Sequence, residues 1–225
     1  MFSSEIKKLI KALRSLDAQT AVVLMLCVSL MIVTFKFGSR GFYLEHIARE
    51  GGRLQAWGWW FSIQGVTGFL IPVIVLLIGF RRKPAEIGLG LGDWKLALVV
   101  FAIYVPIVLI GTWVLSDGRA FRLEYPHYRG AVDSWSSFAI YHVLFLLYWI
   151  GWEYLWRGFV IFGTAHTFGL HAIFVQAVPF ALLHVDKPTS ELVLSLVGGI
   201  LLGALVWRCR SFWIAVPIHF VQMLV

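Results

Sequence analysis

The chain has 225 residues, 60% of them hydrophobic and 14% charged, with a net charge of +7. Soluble domains hold about 45–50% apolar and about 25% charged residues, so this composition excludes a soluble globular enzyme. The basic excess is scattered over short loops instead of forming one face of a folded domain, which excludes a nucleic-acid-binding module. What remains is an all-α, polytopic integral membrane helical bundle. No polar stretch is long enough for a second domain. The expected organisation is a basic amphipathic lead over residues 1–18 and one transmembrane domain over residues 19–225.

In the lead, Ile6, Leu9, Ile10, Leu13 and Leu16 share one helical face, and Lys7, Lys8, Lys11 and Arg14 supply charge. Two readings are open, an interfacial helix on an anionic leaflet and a solvated topology signal, and the second is the plainer. The lead is not a cleavable signal, because no small-residue cleavage pattern ends the long apolar run that follows.

About seven spans are expected. The first three cover residues 19–37, 56–80 and 96–115, each long enough to cross ~30 Å of hydrocarbon. Span two opens on Trp57, Trp59 and Trp60, an interfacial aromatic belt. Pro72 and Pro106 fall inside spans two and three. The connector between them carries Gly90-Leu91-Gly92-Asp93, which matches a GxGD string but reads as a turn. Span four covers 135–163 and is long for one crossing; span five covers 168–185. Span six covers 191–207, with Ser190 expected as its N-cap. Gly199 and Gly203 in span six form a GxxxG pair suited to close helix packing. A last span starts at Phe212 and runs to the end of the sequence given. The basic residues of alternate loops lean to the N-terminal side, which puts the N-terminus in the cytoplasm.

Three late spans carry groups that are awkward in lipid. Span four holds Glu153 and Arg157, four residues apart and on one helical face. Span five ends in Phe180-Ala181-Leu182-Leu183-His184, and the last span holds His219. Charged groups at membrane depth cost about 2.5–3.5 kcal/mol on insertion scales, and they are kept where they pair, line a cavity or do chemistry. A carboxylate and two imidazoles suffice to activate water: the carboxylate takes its proton, and the imidazoles orient it, polarise a carbonyl or hold a metal. Two His and one Glu also make an acceptable zinc set with one open position. The plain alternative is three separately satisfied buried groups. His142 lies about three turns before Glu153 and is expected to make an interhelical hydrogen bond. The HExxH motif and a GxSxG nucleophile are absent.

Glu153-x-x-x-Arg157 followed by Gly158, then Phe180-x-x-x-His184, then His219, resembles the CPBP family, the CAAX-processing and bacteriocin-processing-like (Abi-like) intramembrane proteases. The resemblance covers residues 135–225, the catalytic-type core. It implies a membrane metalloendopeptidase of the CAAX prenyl protease type that hydrolyses a peptide bond with glutamate-activated water inside the bilayer. Carried over, Glu153 is the acid/base, Arg157 its anchoring partner, and His184 and His219 oxyanion stabilisers or, with Glu153, ligands of a divalent metal, zinc. The partners implied are a peptide or lipidated peptide and the bilayer, in a bacterial inner membrane.

Two positions depart from the family pattern. The family has two adjacent glutamates and generally gives the first the base role; here that position is Trp152. The family often has Asn four residues after the last His; here that residue is Met223, and the sequence contains no Asn. Gln222 is a candidate substitute. These departures support an alternative, a non-catalytic CPBP-like membrane binding or immunity protein on the same fold.

Overall fold

A computed structural model describes residues 2–48, 50, 52–125 and 127–222. Within them every regular element is helical. Helix α1 spans Phe2–Arg14, α2 Ala18–Phe37, α3 Arg53–Gly65, α4 Trp94–Ser116, α5 Trp135–Glu153, α6 Ile161–Phe168, α7 Ala172–Leu182, α8 Thr189–Cys209 and α9 Ala215–Gln222. The last span expected from Phe212 is described only to Gln222; Met223 lies outside the described residues.

Five helical stretches are long and apolar enough to cross a membrane. One of them, Trp135–Leu182, is 48 residues long. At 1.5 Å per residue that is about 70 Å, more than twice the ~30 Å hydrocarbon core. It bends at Gly169, whose φ of +52° is in the region that favours glycine. Counted as two crossings, and with the shorter apolar helix Phe212–Gln222, the architecture is compatible with about seven spans.

Several ends differ in detail from expectation. Helix α8 begins one residue before Ser190, with Pro188 at the cap position and no side-chain cap. The fixed φ of Pro188 sets the helix entry, and Ser190 falls inside the first turn. Beyond α3 the chain stays helical to Gly79 through two π-helical turns, Val66–Leu70 and Val75–Gly79, on either side of Pro72. Proline lacks the amide for a normal α-helical bond, and the wider turns accommodate it.

The core is built around α3 and α5, the most closely packed helix pair. A Cβ added to Gly151 would fall 2.2 Å from the Gln64 carbonyl oxygen, so only glycine allows this approach. An aromatic stack fills the seam: Trp57, Phe61, Tyr141, Phe145, Tyr148 and Trp149 meet ring to ring at 5.0–5.9 Å. Helices α7 and α8 pack through the expected GxxxG pair. Gly199 faces the Phe180 ring and Gly203 the Gln176 side chain, and Gln176 donates through Nε2 to the Gly199 carbonyl at 2.9 Å.

Two polar ties frame the bundle. At the start of α2, Asp17 caps the helix by accepting from the Thr20 amide at 2.6 Å and also meets His166 Nε2 at 2.7 Å. Gln19 donates to the Gly163 carbonyl and accepts from Arg82 Nε, each at 2.7 Å. The Gly90–Asp93 stretch is a turn, as read. Gly92 takes φ +55° against the Cys209 carbonyl. The Asp93 amide donates to that carbonyl at 2.8 Å, the Phe212 amide to the Gly88 carbonyl at 3.0 Å, and Trp213 Nε1 to the Leu89 carbonyl at 3.0 Å. The corner between α8 and α9 is thereby held by the connector that precedes α4.

Candidate active site

Glu153 is the last residue of α5, and Arg157 lies in the π-helical turn Tyr154–Val160 that follows. Such turns interrupt long helices, often at functional positions. Both side chains are 0% exposed. Arg157 Nη1 stands 3.4 Å from Glu153 Oε1, and the guanidinium lies 4.0 Å over the Phe180 ring. A buried charge needs a partner or a π-face, and this pair supplies both.

The second partner of the carboxylate arrives from α9. His219 Nδ1 hydrogen-bonds to Glu153 Oε1. The imidazole also stacks on Trp149, with centroids 4.8 Å apart and planes at 21°. With Nδ1 donating to Glu153, Nε2 is left for other partners. Glu153 therefore uses its oxygens unequally: Oε1 is engaged by Arg157 and His219, and Oε2 is buried with no hydrogen-bond partner. Arg157 Nε and Nη2 and the indole Nε1 of Trp149 and Trp156 are buried and unpartnered in the same region. Buried polar groups are nearly always satisfied, and groups of this kind can bond to a water or a polar ligand.

His184 stands apart from the dyad. It lies just beyond α7, and its Nδ1 bonds to the Phe180 carbonyl at 2.9 Å. Its ring is 4.8 Å from Phe180, whose ring is 6.3 Å from His219. Phe180 thus touches Arg157 and both imidazoles. Among the described residues, no group of three His, Cys, Asp or Glu is placed to hold a metal ion. Of the expected zinc set, Glu153 and His219 come together and His184 does not join them. The residues present do not complete a metal centre in this arrangement.

Trp152 occupies the position where the family has its first glutamate. It is 6% exposed and packs on Tyr148, Trp156 and Phe180 at 5.8–6.0 Å. His142 does not make the interhelical bond expected of it. Its Nδ1 bonds to the Phe138 carbonyl one turn back at 2.8 Å and its ring lies 4.0 Å from the Phe138 ring, because a histidine on an exposed face finds its own helix first.

Three participants were not singled out from the sequence. Trp149 orients His219, and its position four residues before Glu153 was a usable signal. Phe180 was noted only as part of a motif. Tyr104, on α4, lines a cavity of about 180 Å³ with aliphatic residues of α4 and α8 and with Ile218, the neighbour of His219. A lone tyrosine in an apolar span gives no sequence signal of that kind.

Glu153, Arg157, His184 and His219 all lie within one segment that matches a family model. Residues 134–225 match the family model described as type II CAAX prenyl endopeptidase Rce1-like. The match is consistent with the CPBP resemblance and covers α5 through α9. The protein is an integral membrane protein with an Rce1-like segment, and the family is one of endopeptidases. No curated protein and no solved structure matches the chain.

Proposed function

We propose that the protein is an intramembrane endopeptidase in which Glu153 activates the attacking water. The observation that carries this is the division of the carboxylate, Oε1 held by Arg157 and His219 and Oε2 buried without a partner. Arg157 and His219 fix the orientation of the carboxylate through Oε1, so Oε2 is the oxygen that takes the proton as water adds to the scissile carbonyl. His219 is held by Glu153 on one side and Trp149 on the other. Its Nε2 faces the developing charge and stabilises the oxyanion when the ring is protonated. Breaking the C–N bond returns the proton from Glu153 to the leaving amine. His184, fixed through the Phe180 carbonyl, positions substrate from the far side of Phe180. The zinc implied by the resemblance would be held by Glu153 and His219, with His184 needed as third ligand. The present arrangement does not bring the three together, and no step above requires a metal.

The substrate class is a peptide or lipidated peptide presented at the membrane, in keeping with the family. The bias of basic residues between loops supports a cytoplasmic N-terminus, and a bacterial inner membrane is the setting that the resemblance implies.

The test is Glu153→Gln in purified protein reconstituted with quenched-fluorescence peptides, one ending in a prenylated cysteine and one carrying an apolar helix. Cleavage is expected to fall by about 10²–10⁴-fold, the range for loss of a general base. Equal cleavage by wild type and variant would overturn the reading.

A second reading, binding without cleavage, is favoured by one observation: Trp152 fills the family's first glutamate position with a buried indole. In that case wild type and Glu153→Gln bind the same peptides and neither cleaves them.

A further inference from the structure

Helix α1 carries a feature that the site does not use. Ile6, Leu9, Ile10 and Leu13 recur at helical spacing along one face, and each is 43–59% exposed. Lys7, Lys11 and Lys8 follow round the polar remainder of the helix, with Lys7 next to the stripe, and are exposed as well. Lys8 pairs with Glu5 at 2.8 Å on the surface, which leaves a basic excess. Four aliphatic side chains in one stripe, uncovered by the protein and edged by lysines, form an amphipathic surface that in water would expose apolar area at a cost.

The tether decides what covers this stripe. Helix α1 ends at Arg14, and Asp17 already caps membrane span α2. Three chain steps reach at most about 11 Å. The headgroup zone on each side of the ~30 Å core is about 5–8 Å thick, so the Arg14 end of α1 is held at the interface, and lying flat there covers the apolar stripe along the rest of the helix. Leu16 in that linker is 60% exposed and continues the apolar stripe toward α2. At 13 residues the helix is about 20 Å long, too short and too charged to cross the bilayer itself.

We propose that α1 lies in the plane of the membrane surface, with Ile6, Leu9, Ile10 and Leu13 in the acyl boundary and Lys7, Lys8 and Lys11 on anionic phospholipid headgroups. The partner is an anionic lipid surface. The apolar stripe supplies depth, and the lysines supply a preference for negative charge. The inference is independent of peptidase activity, since it involves no residue of the Glu153 site.

The experiment uses the full chain with Leu9→Cys in a Cys27→Ala/Cys209→Ala background, labelled with an environment-sensitive nitrobenzoxadiazole probe. The protein is reconstituted in vesicles of phosphatidylcholine alone or with phosphatidylglycerol added. The expected result is blue-shifted emission, quenched by spin-labelled acyl chains, in the phosphatidylglycerol vesicles. A Lys7→Gln/Lys8→Gln/Lys11→Gln variant should lose the preference for anionic lipid by up to about 100-fold in docking equilibrium, and raised salt should do the same. Moving the probe to Lys7→Cys should give water-like emission in both lipids. Water-like emission at position 9 in both vesicle types overturns the proposal. So does emission that is blue-shifted but indifferent to lipid charge and to the lysine changes, which would place α1 against protein or neutral lipid.

Discussion

Glu153 and His219 are 66 residues apart in sequence and share a hydrogen bond at the meeting point of α5 and α9. Glu153 is fully buried and His219 part-buried, and each is fixed by a further neighbour: Glu153 by Arg157, and His219 by the Trp149 ring. Removing one member of such a network costs more than removing the whole.

Arg157→Met is expected to destabilise the protein by about 3–5 kcal/mol, because it removes the guanidinium partner of a fully buried carboxylate and leaves only His219 on it. Adding Glu153→Gln should recover much of that loss, since the charge requiring a partner is then gone. Thermal unfolding of both single variants and the double variant in detergent gives the coupling energy. Additive losses would show that Arg157 is held by Phe180 alone.

Gly151→Ala probes the packing that places Glu153. The new methyl group would meet the Gln64 backbone at 2.2 Å, and backbone cannot move aside as a side chain can. The expected cost is about 1–3 kcal/mol from overpacking. Because α5 would shift against α3, cleavage should fall more steeply than stability. Comparison of activity and unfolding temperature at one condition checks both.

Tyr104→Phe removes one hydroxyl from the wall of the 180 Å³ cavity and keeps its shape. If that hydroxyl orients substrate near the Glu153–Arg157 pair, kcat/KM should fall about tenfold or more with the unfolding temperature unchanged. An unaltered kcat/KM would limit Tyr104 to packing.

Metal analysis separates two chemistries. The present donor arrangement predicts zinc well below one per chain in purified protein, and cleavage that survives 1,10-phenanthroline. Stoichiometric zinc that disappears in a His184→Ala/His219→Ala variant would show that His184 moves in to complete a centre.

The Asp17 cap makes a pH prediction outside the membrane. The hydrogen bond from the Thr20 amide, and then His166, hold the Asp17 carboxyl down at about 2 from an ordinary 3.8. A lowered folded value stabilises the fold above the ordinary value, and the effect is lost as pH falls from 3.8 toward 2. Asp17→Asn should therefore unfold at a lower temperature than wild type from neutral pH down to about 4, with the gap closing near pH 2. A gap that closes between pH 7 and 5 would put the control elsewhere.

The spans were legible because apolar runs of membrane length leave one solution for the backbone, a helix with its own hydrogen bonds. Glu153, Arg157, His184 and His219 could be singled out because polar groups stand out in such runs. Their mutual placement was not legible. The Glu153–His219 contact depends on where α9 enters the bundle, and the separation of His184 depends on the helix ending at Leu182. The π-helical turn at Arg157 leaves no composition signal, since it is a change in hydrogen-bond spacing and not in residue type. Nothing in the sequence pattern singles out His166, yet it meets Asp17 across 149 residues. A pairing of that range is a property of the tertiary structure alone.

The backbone bonds from Asp93 to Cys209 and from Phe212 to Gly88 act as a splint across the corner that leads into α9. His219 lies seven residues past Phe212, so its reach toward Glu153 is set by a brace that comes from the other half of the chain. The family-matched segment 134–225 holds every motif residue but not the brace. Expressed by itself it would carry the right groups and the packing of α9 on α5 but not this brace on the α8–α9 corner, so its imidazole would be held to the carboxylate less firmly. The amino-terminal half, which has none of the family's motif residues, is in this sense the jig on which the site is assembled.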